Sequence, residues 1–234
     1  MPGNVVHRYV ALMVRARFAE VMAGDDVLLD EAALLVSAEL QPGLDLAEWM
    51  TALDDLAGNC PTATPEGVAR FLFDDDHFVG NRRAYYDWRN SCLDRVIATR
   101  TGIPISLSVL MIEVARRVGV GLVGVGMPTH FLVGVAGDPD TFVDPFSGGR
   151  MLDRDGARAL FTDLTRGQVP WQESYLDATP NRAIVVRILN NLKSVFAGRS
   201  DAVRLGLVMR LRDTIPELAE AEDAEIALAT AIFN

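Results

Sequence analysis

Three histidines, His7, His77 and His130, are the only imidazoles in this 234-residue chain, so any proton transfer run by histidine falls to one of them. His130 is the candidate with company. It sits in Pro128-Thr129-His130-Phe131-Leu132-Val133, at the head of a β-branched run, and Asp144 lies in Phe142-Val143-Asp144-Pro145 on the next such run. Neighbouring antiparallel strands would place the two side by side. A carboxylate accepting the ring N–H fixes the imidazole tautomer and stabilises the imidazolium formed when the other nitrogen takes a proton. Such a pair is half of a catalytic site, or a polar tie between a strand and a turn. The nucleophile is the missing half. Ser106 falls in the first turns of a helix and could approach His130, which it would need as a base because a helix dipole alone does not ionise a hydroxyl. Serine at that position also serves as a cap. Cys92 lies near the start of the preceding helix, where a thiolate is favoured, or is a small buried apolar residue.

The elements that must position these groups follow from hydrophobic spacing. Val5, Val6, Tyr9, Val10, Met13 and Val14 recur at helical steps, as do Leu28 to Val36, with a break at Gly24-Asp25-Asp26 between them. Asp45 is a predicted N-cap for a third helix carrying Leu46, Trp49, Met50, Leu53 and Leu56. Thr64-Pro65 opens a short fourth helix through about Phe71. Ser91 to Asp94 has the S-x-x-D form of a capping box, which predicts a helix from there to a glycine stop at Thr101-Gly102. Pro104 starts the next, whose Leu107, Leu110, Met111, Val114, Ala115 and Val118 form one apolar stripe ending at Gly119. Val120 to Val125, Phe131 to Val135 and Thr141 to Asp144 read as short strands of a small antiparallel sheet. From Thr179-Pro180 the chain is helical again, with stops at Gly198 and starts at Ser200-Asp201 and Pro216, the last helix running to about Ile232. The division expected is a helical region over 1–85, an α+β core over 86–177 and a helical extension over 178–234.

Composition narrows the function classes. Half the residues are hydrophobic and 23% are charged, which is a chain able to bury a core. The apolar runs fall far short of the roughly 18 residues a bilayer-spanning helix needs, and the N-terminus carries His7 and Arg8 without an apolar signal core. A cytoplasmic protein is expected. The net charge of −10 repels phosphate backbones and anionic membranes, so neither nucleic acid nor membrane is an expected partner. Cys60 and Cys92 show no metal-ligand spacing and read as reduced thiols. The run Asp74-Asp75-Asp76-His77 aims its side chains in different directions and reads as a solvated turn. The glycines at 121, 124 and 126 lie inside a strand, and Gly148-Gly149 lacks a strand-to-helix setting, so no phosphate loop, no metal and no cofactor are expected. Tyr85, Tyr86 and Trp88 could stack a ligand or fill a core, and Asn90 could bind a ligand or cap backbone.

Taken together, Tyr85-Tyr86-Asp87, Asn90-Ser91-Cys92-Leu93, Arg100 to Ser108, Gly124 to Phe131 and Val143 to Gly149 resemble the SirB family of bacterial transglutaminase-like proteins. The resemblance covers about residues 10 to 175, and Arg187-Ile188-Leu189-Asn190-Asn191-Leu192-Lys193 is similar to the tetratricopeptide-like helices that follow this domain in the family. It implies a papain-like α+β core in which a helix packs on an antiparallel sheet, with a Cys-His-Asp order of functional residues. In catalytic members a G-x-C motif begins the central helix, whose far end resembles Ala115-Arg116-Arg117-Val118-Gly119. Matching both ends puts Pro104 where the cysteine belongs. Proline carries no nucleophile, whereas His130 and Asp144 match the pattern. The expectation is a noncatalytic module that binds a protein or peptide in the old groove, around Asn90, Cys92, Pro104, Tyr86 and Trp88, or on the C-terminal helices. The alternative is a hydrolase or acyltransferase using Ser106 or Cys92 with His130 and Asp144.

Overall fold

The protein is described here by a computed structural model over residues 3–219. Four helices open the chain: α1 (Gly3–Ala23), α2 (Leu29–Leu40), α3 (Leu46–Gly58) and α4 (Pro65–Arg70). Two of their starts are set by the residues the sequence nominates. The Asp45 carboxylate accepts from the Ala47 N–H at 3.0 Å, and the Thr64 hydroxyl accepts from the Gly67 N–H at 3.0 Å with Pro65 at the first helical position. α2 has almost no exposed face, because it is the middle of a helical cluster touched by α1 and α3 and by the later helices.

α4 runs on past Phe71 into one π-helical turn, Phe71–Asp75, so the acidic run is part of a helix end. Asp74 and Asp75 there are exposed, while Asp76 pairs with Arg100. The strand β1 (Val79–Gly80) follows, then a 3₁₀ turn over Trp88–Ser91, α5 (Leu93–Thr99), β2 (Thr101–Gly102) and α6 (Pro104–Arg117). The predicted Ser91/Asp94 capping box does not form. Cys92 is the N-cap residue of α5 without a side-chain cap, and the Asp94 carboxylate instead accepts from Gln41 Nε2 on the α2 side, at 2.9 and 3.0 Å. A tertiary partner outcompetes the local one. Nor does Gly102 stop α5; Arg100 does, in the left-handed conformation at φ 53°. Gly102 pairs with Gly80 in the parallel β1–β2 ladder, and its missing Cβ leaves room for Ser106 Oγ, which would lie 2.7 Å from such an atom.

The sheet is five-stranded and antiparallel, in the order β6-β5-β4-β3-β7: β3 (Leu122–Val125), β4 (Leu132–Val135), β5 (Asp138–Asp144), β6 (Arg150–Leu152) and β7 (Ala178–Thr179). The three expected strands form its centre. The two edge strands and α7 (Arg154–Thr165), capped by Asp153 at the Gly156 N–H, were not predicted. α6 lies on one face, with Leu107, Leu110, Met111 and Val114 buried, each contributing about 1.5–3 kcal/mol by removal from water. The opposite face packs Val125, Leu132 and Phe142 against Phe161 of α7. α8 (Asn181–Gly198) and α9 (Ala202–Arg212) follow the sheet. Ile184, Ile188, Leu189 and Leu192 of α8 join the same hydrophobic cluster as α2 and α6, so α8 is continuous with the core that carries the site. A further helix starts at Pro216, and the rest of its predicted span to Ile232 lies outside the described residues.

Candidate functional site

His130 follows the tight turn between β3 and β4, where Thr129 takes φ 66°. A β-branched residue in the left-handed region costs on the order of 1–3 kcal/mol and persists only where the surroundings hold it. Arg187 of α8 does the holding, since its Nη2 donates to the Met127 and His130 carbonyls at 2.7 Å each. The guanidinium also lies 5.3 Å from the centre of the Phe131 ring. The imidazole is thereby presented on a clamped backbone.

β4 and β5 pair Val133 with Val143, which brings the residues just outside the ladder together. His130 Nε2 and Asp144 Oδ1 are 2.9 Å apart, and both side chains are buried. Asp144 also accepts from the Phe146 and Ser147 N–H groups at 3.1 and 3.3 Å, capping the 3₁₀ turn Pro145–Ser147. Burial pushes the Asp144 carboxyl up. The hydrogen bond and charge of His130 and the Ser147 contacts outweigh it, and the group sits below the usual carboxylate range. An ionised Asp144 accepts the Nε2 proton, which fixes the neutral tautomer and leaves Nδ1 as the working nitrogen. That nitrogen makes no hydrogen bond among the described residues, and His130 lines a groove of about 300 Å³ together with Pro104, Ile105, Thr129, Tyr85, Arg187 and Asn191.

At the groove the N-terminus of α6 presents Pro104, with neither a thiol nor a backbone N–H. Ser106 is turned elsewhere. Its hydroxyl donates to the Asn90 carbonyl at 2.6 Å and accepts from the Ile103 N–H at 3.1 Å, so it caps α6 and ties it to the preceding turn, without a hydrogen bond to His130. Cys92 does start α5, but it is fully buried, and burial pushes its thiol far up, aided by the nearby Asp94 charge. Desolvation overrides the helix end. Asn90 is buried and structural, with Nδ2 donating to the Ala84 and Tyr85 carbonyls at 2.7 and 3.0 Å while Oδ1 accepts from Asn81. Trp88 packs on Phe196 with Arg204 over its ring, away from the groove. Tyr86 is 71% exposed and touches Tyr85 edge-on, and Tyr85 is the aromatic that lines the groove. Of the eight residues nominated for the site, the structure gathers His130, Asp144 and Pro104 and sets the other five to other tasks.

Sequence reasoning weighed Tyr85 as a stacking residue but missed Arg187 and Asn191. A signal existed: Arg187 and Asn191 are spaced i, i+4 beside the apolar positions Ile184, Ile188 and Leu192, a polar pair flanking a buried stripe.

A helix laid on an antiparallel sheet, with a histidine and an aspartate at adjoining strand ends facing the helix N-terminus, defines a transglutaminase-like α+β domain. The chain belongs to that superfamily: its sequence pattern, described as the transglutaminase-like superfamily, matches residues 28–190. Among bacterial proteins, a UPF0162 protein of Xylella fastidiosa is 40% identical over 182 residues, 72% of this chain and 65% of that protein. A UPF0162 protein of Vibrio cholerae is 30% identical over 131 residues, 55% of this chain and 48% of its own length. The chain thus spans under two thirds of these relatives. A shorter likeness, 44% over 68 residues, is to the F-box only protein 21 of mouse and covers 29% of this chain and 11% of that protein. No solved structure matches the chain.

Proposed function

We infer that this is a noncatalytic transglutaminase-like module of the SirB type, which binds a protein or peptide in the groove between the α6 N-terminus and His130. The observation that carries the reading is Pro104. It stands at the first position of the helix facing His130, where a nucleophile of this fold would need to be, and it offers neither a thiol to attack nor an N–H to hold an oxyanion. The hydrogen bonds of Ser106 and the burial of Cys92 support the same reading, because each alternative nucleophile is engaged away from His130. The His130–Asp144 pair then serves as a preorganised polar wall rather than a base. The similarity of α8 and its successor to tetratricopeptide-like helices supports a role for them in supporting that wall and in presenting a partner surface.

Purified protein tests this directly. It should show no amidase, protease or transamidase turnover against peptide and glutamine-donor substrates, and neither a serine nor a thiol activity probe should label Ser106 or Cys92. Turnover that disappears in His130→Ala would overturn the noncatalytic reading.

A further inference from the structure

Arg187 is a half-buried cation without an acidic partner. Its Nη2 is spent on two carbonyls, it forms no ion pair among the described residues, and the Tyr85 phenol is the titratable group that acts on it. In a chain of net charge −10, where most other buried guanidinium and carboxylate groups of the described residues are matched, that is an exception. Burying a charge without a counter-charge is costly, and such a site gains most from an anion that arrives from outside.

The groups around it point the same way. His130 is only 5% exposed, its Nδ1 has no partner among the described residues, and it lines the groove. The side chains of Tyr85 and Asn191 line the same groove with no hydrogen bond of their own. The 14-residue α6 aims its N-terminus there, and because Pro104 has no N–H, Ile105 carries the first free one. The Arg187 guanidinium and the α6 N-terminus therefore supply donors and positive charge, and among the described residues the groove lining includes no carboxylate, Asp144 being bonded to Nε2 of the imidazole.

We propose that the groove is a carboxylate-binding site, taking the C-terminal carboxylate of a peptide or an acidic side chain between the Arg187 guanidinium and the Ile105 N–H. The inference rests on the binding reading above and names its ligand chemistry. Arg187 supplies the charge through the guanidinium donors that its two carbonyl bonds leave over. The His130 ring forms the wall beside them, held in place through Nε2 by Asp144 from β5, with Tyr85 from the loop on the same groove.

Three small probes separate the possibilities on the full chain: N-acetylglycylglycine, with a main-chain carboxylate; N-acetylaspartic acid α-amide, with a side-chain carboxylate; and N-acetylglycylglycinamide, with none. Binding is read by the NMR shifts of the Ile105 amide and the Arg187 Nε–H. At least one carboxylate probe should saturate both signals, at least ~10-fold more tightly than the amide, and lose affinity as salt is raised. Preference for the first probe identifies a chain terminus, and for the second an acidic side chain. Arg187→Gln should abolish the difference. Because Arg187 also holds the Thr129 turn, Asn191→Ala, which removes a groove donor without touching that turn, should weaken the carboxylate probe several-fold at unchanged Tm. Equal affinity for the amide, or no carboxylate-induced shift at Ile105, overturns the proposal. Release of acetate from a probe would instead overturn the noncatalytic reading, so the two failures are distinct.

Discussion

The two ends of α6 are both polar and both buried, and they are built in opposite ways. At the C-terminal end Arg117, 9% exposed in its side chain, donates to Asp30, Glu113 and Asp54 at 2.7, 2.8 and 2.7 Å, and Arg116 reaches Asp30 and Glu113 as well. Every charge there has an opposite neighbour, and the arginines sit where the helix dipole favours cations. At the N-terminal end Arg187 has carbonyls only, His130 has one free nitrogen, and a cavity lies between them. The paired cluster locks α6 to α2 and α3. The unpaired one is left open to solvent and has something to gain from a ligand, which is why it, and not the larger ion network, is read as the site.

The comparison breaks most readily at the closed end. Arg117→Met removes the buried partner of Asp30 and Glu113 and leaves both to the more exposed Arg116, and a loss of about 1.5–3 kcal/mol in urea unfolding is expected; a loss under about 0.5 kcal/mol would mean the network is not what holds this end. At the open end Asp144→Ala leaves His130 Nε2 and two backbone N–H groups without their acceptor, for an expected loss of about 1–3 kcal/mol at neutral pH. Its pH dependence has a definite sign. Asp144 and Asp30 sit below their ordinary values when folded, Asp30 because Arg117 and the Glu31 N–H outweigh its burial, so the stability they confer is complete above the unfolded carboxylate pKa of about 3.9 and is lost as pH falls through the lower folded values. Glu113 runs the other way: burial, then the Asp30 charge, raises it, so lowering the pH through its folded value relieves a cost. Acid titration of Asp144→Asn should therefore show a flatter decline below pH 4 than the wild type.

Pro104→Cys sharpens the contrast more than it perturbs it. Loss of the constrained residue costs about 0.4–1 kcal/mol through the unfolded chain. The new thiol, at a helix N-terminus beside His130, should be alkylated by iodoacetamide at neutral pH ahead of Cys60 and Cys92, and adding His130→Ala should slow that reaction ~10-fold. Equal rates with and without His130 would mean the imidazole does not face position 104. The smallest effect is expected of Tyr86→Ala, within about 0.5 kcal/mol by thermal unfolding and without effect on probe binding, since the ring is exposed and outside the groove.

Local chemistry that needs only neighbours in sequence was readable in advance. Asp45, Thr64 and Asp201 cap the helices they precede, Gly119 follows α6 with φ +78°, and the three central strands fall where β-branched runs lie between turn residues. The misses share a cause, which is competition from distant residues. Asp94 left its capping box for Gln41, and Arg100 rather than Gly102 ended α5 because Gly102 was needed against Gly80 and Ser106. α7 carries a weak signal because only Ala157, Leu160 and Phe161 form its packed apolar side, and its partner surface exists only once the sheet is formed.

By itself the sequence determined the starts of α3, α4, α6 and α9, the central strands, the His130–Asp144 pairing and the lack of a nucleophilic side chain at Pro104, since each depends on residue type and on spacing within one element or between adjoining strands. Tertiary structure alone decided that Ser106 faces Asn90, that Cys92 is desolvated, and that Arg187, 57 residues from His130, stands over the groove without a counter-charge. Burial and charge compensation are properties of what surrounds a group in space, and no spacing along the chain encodes them.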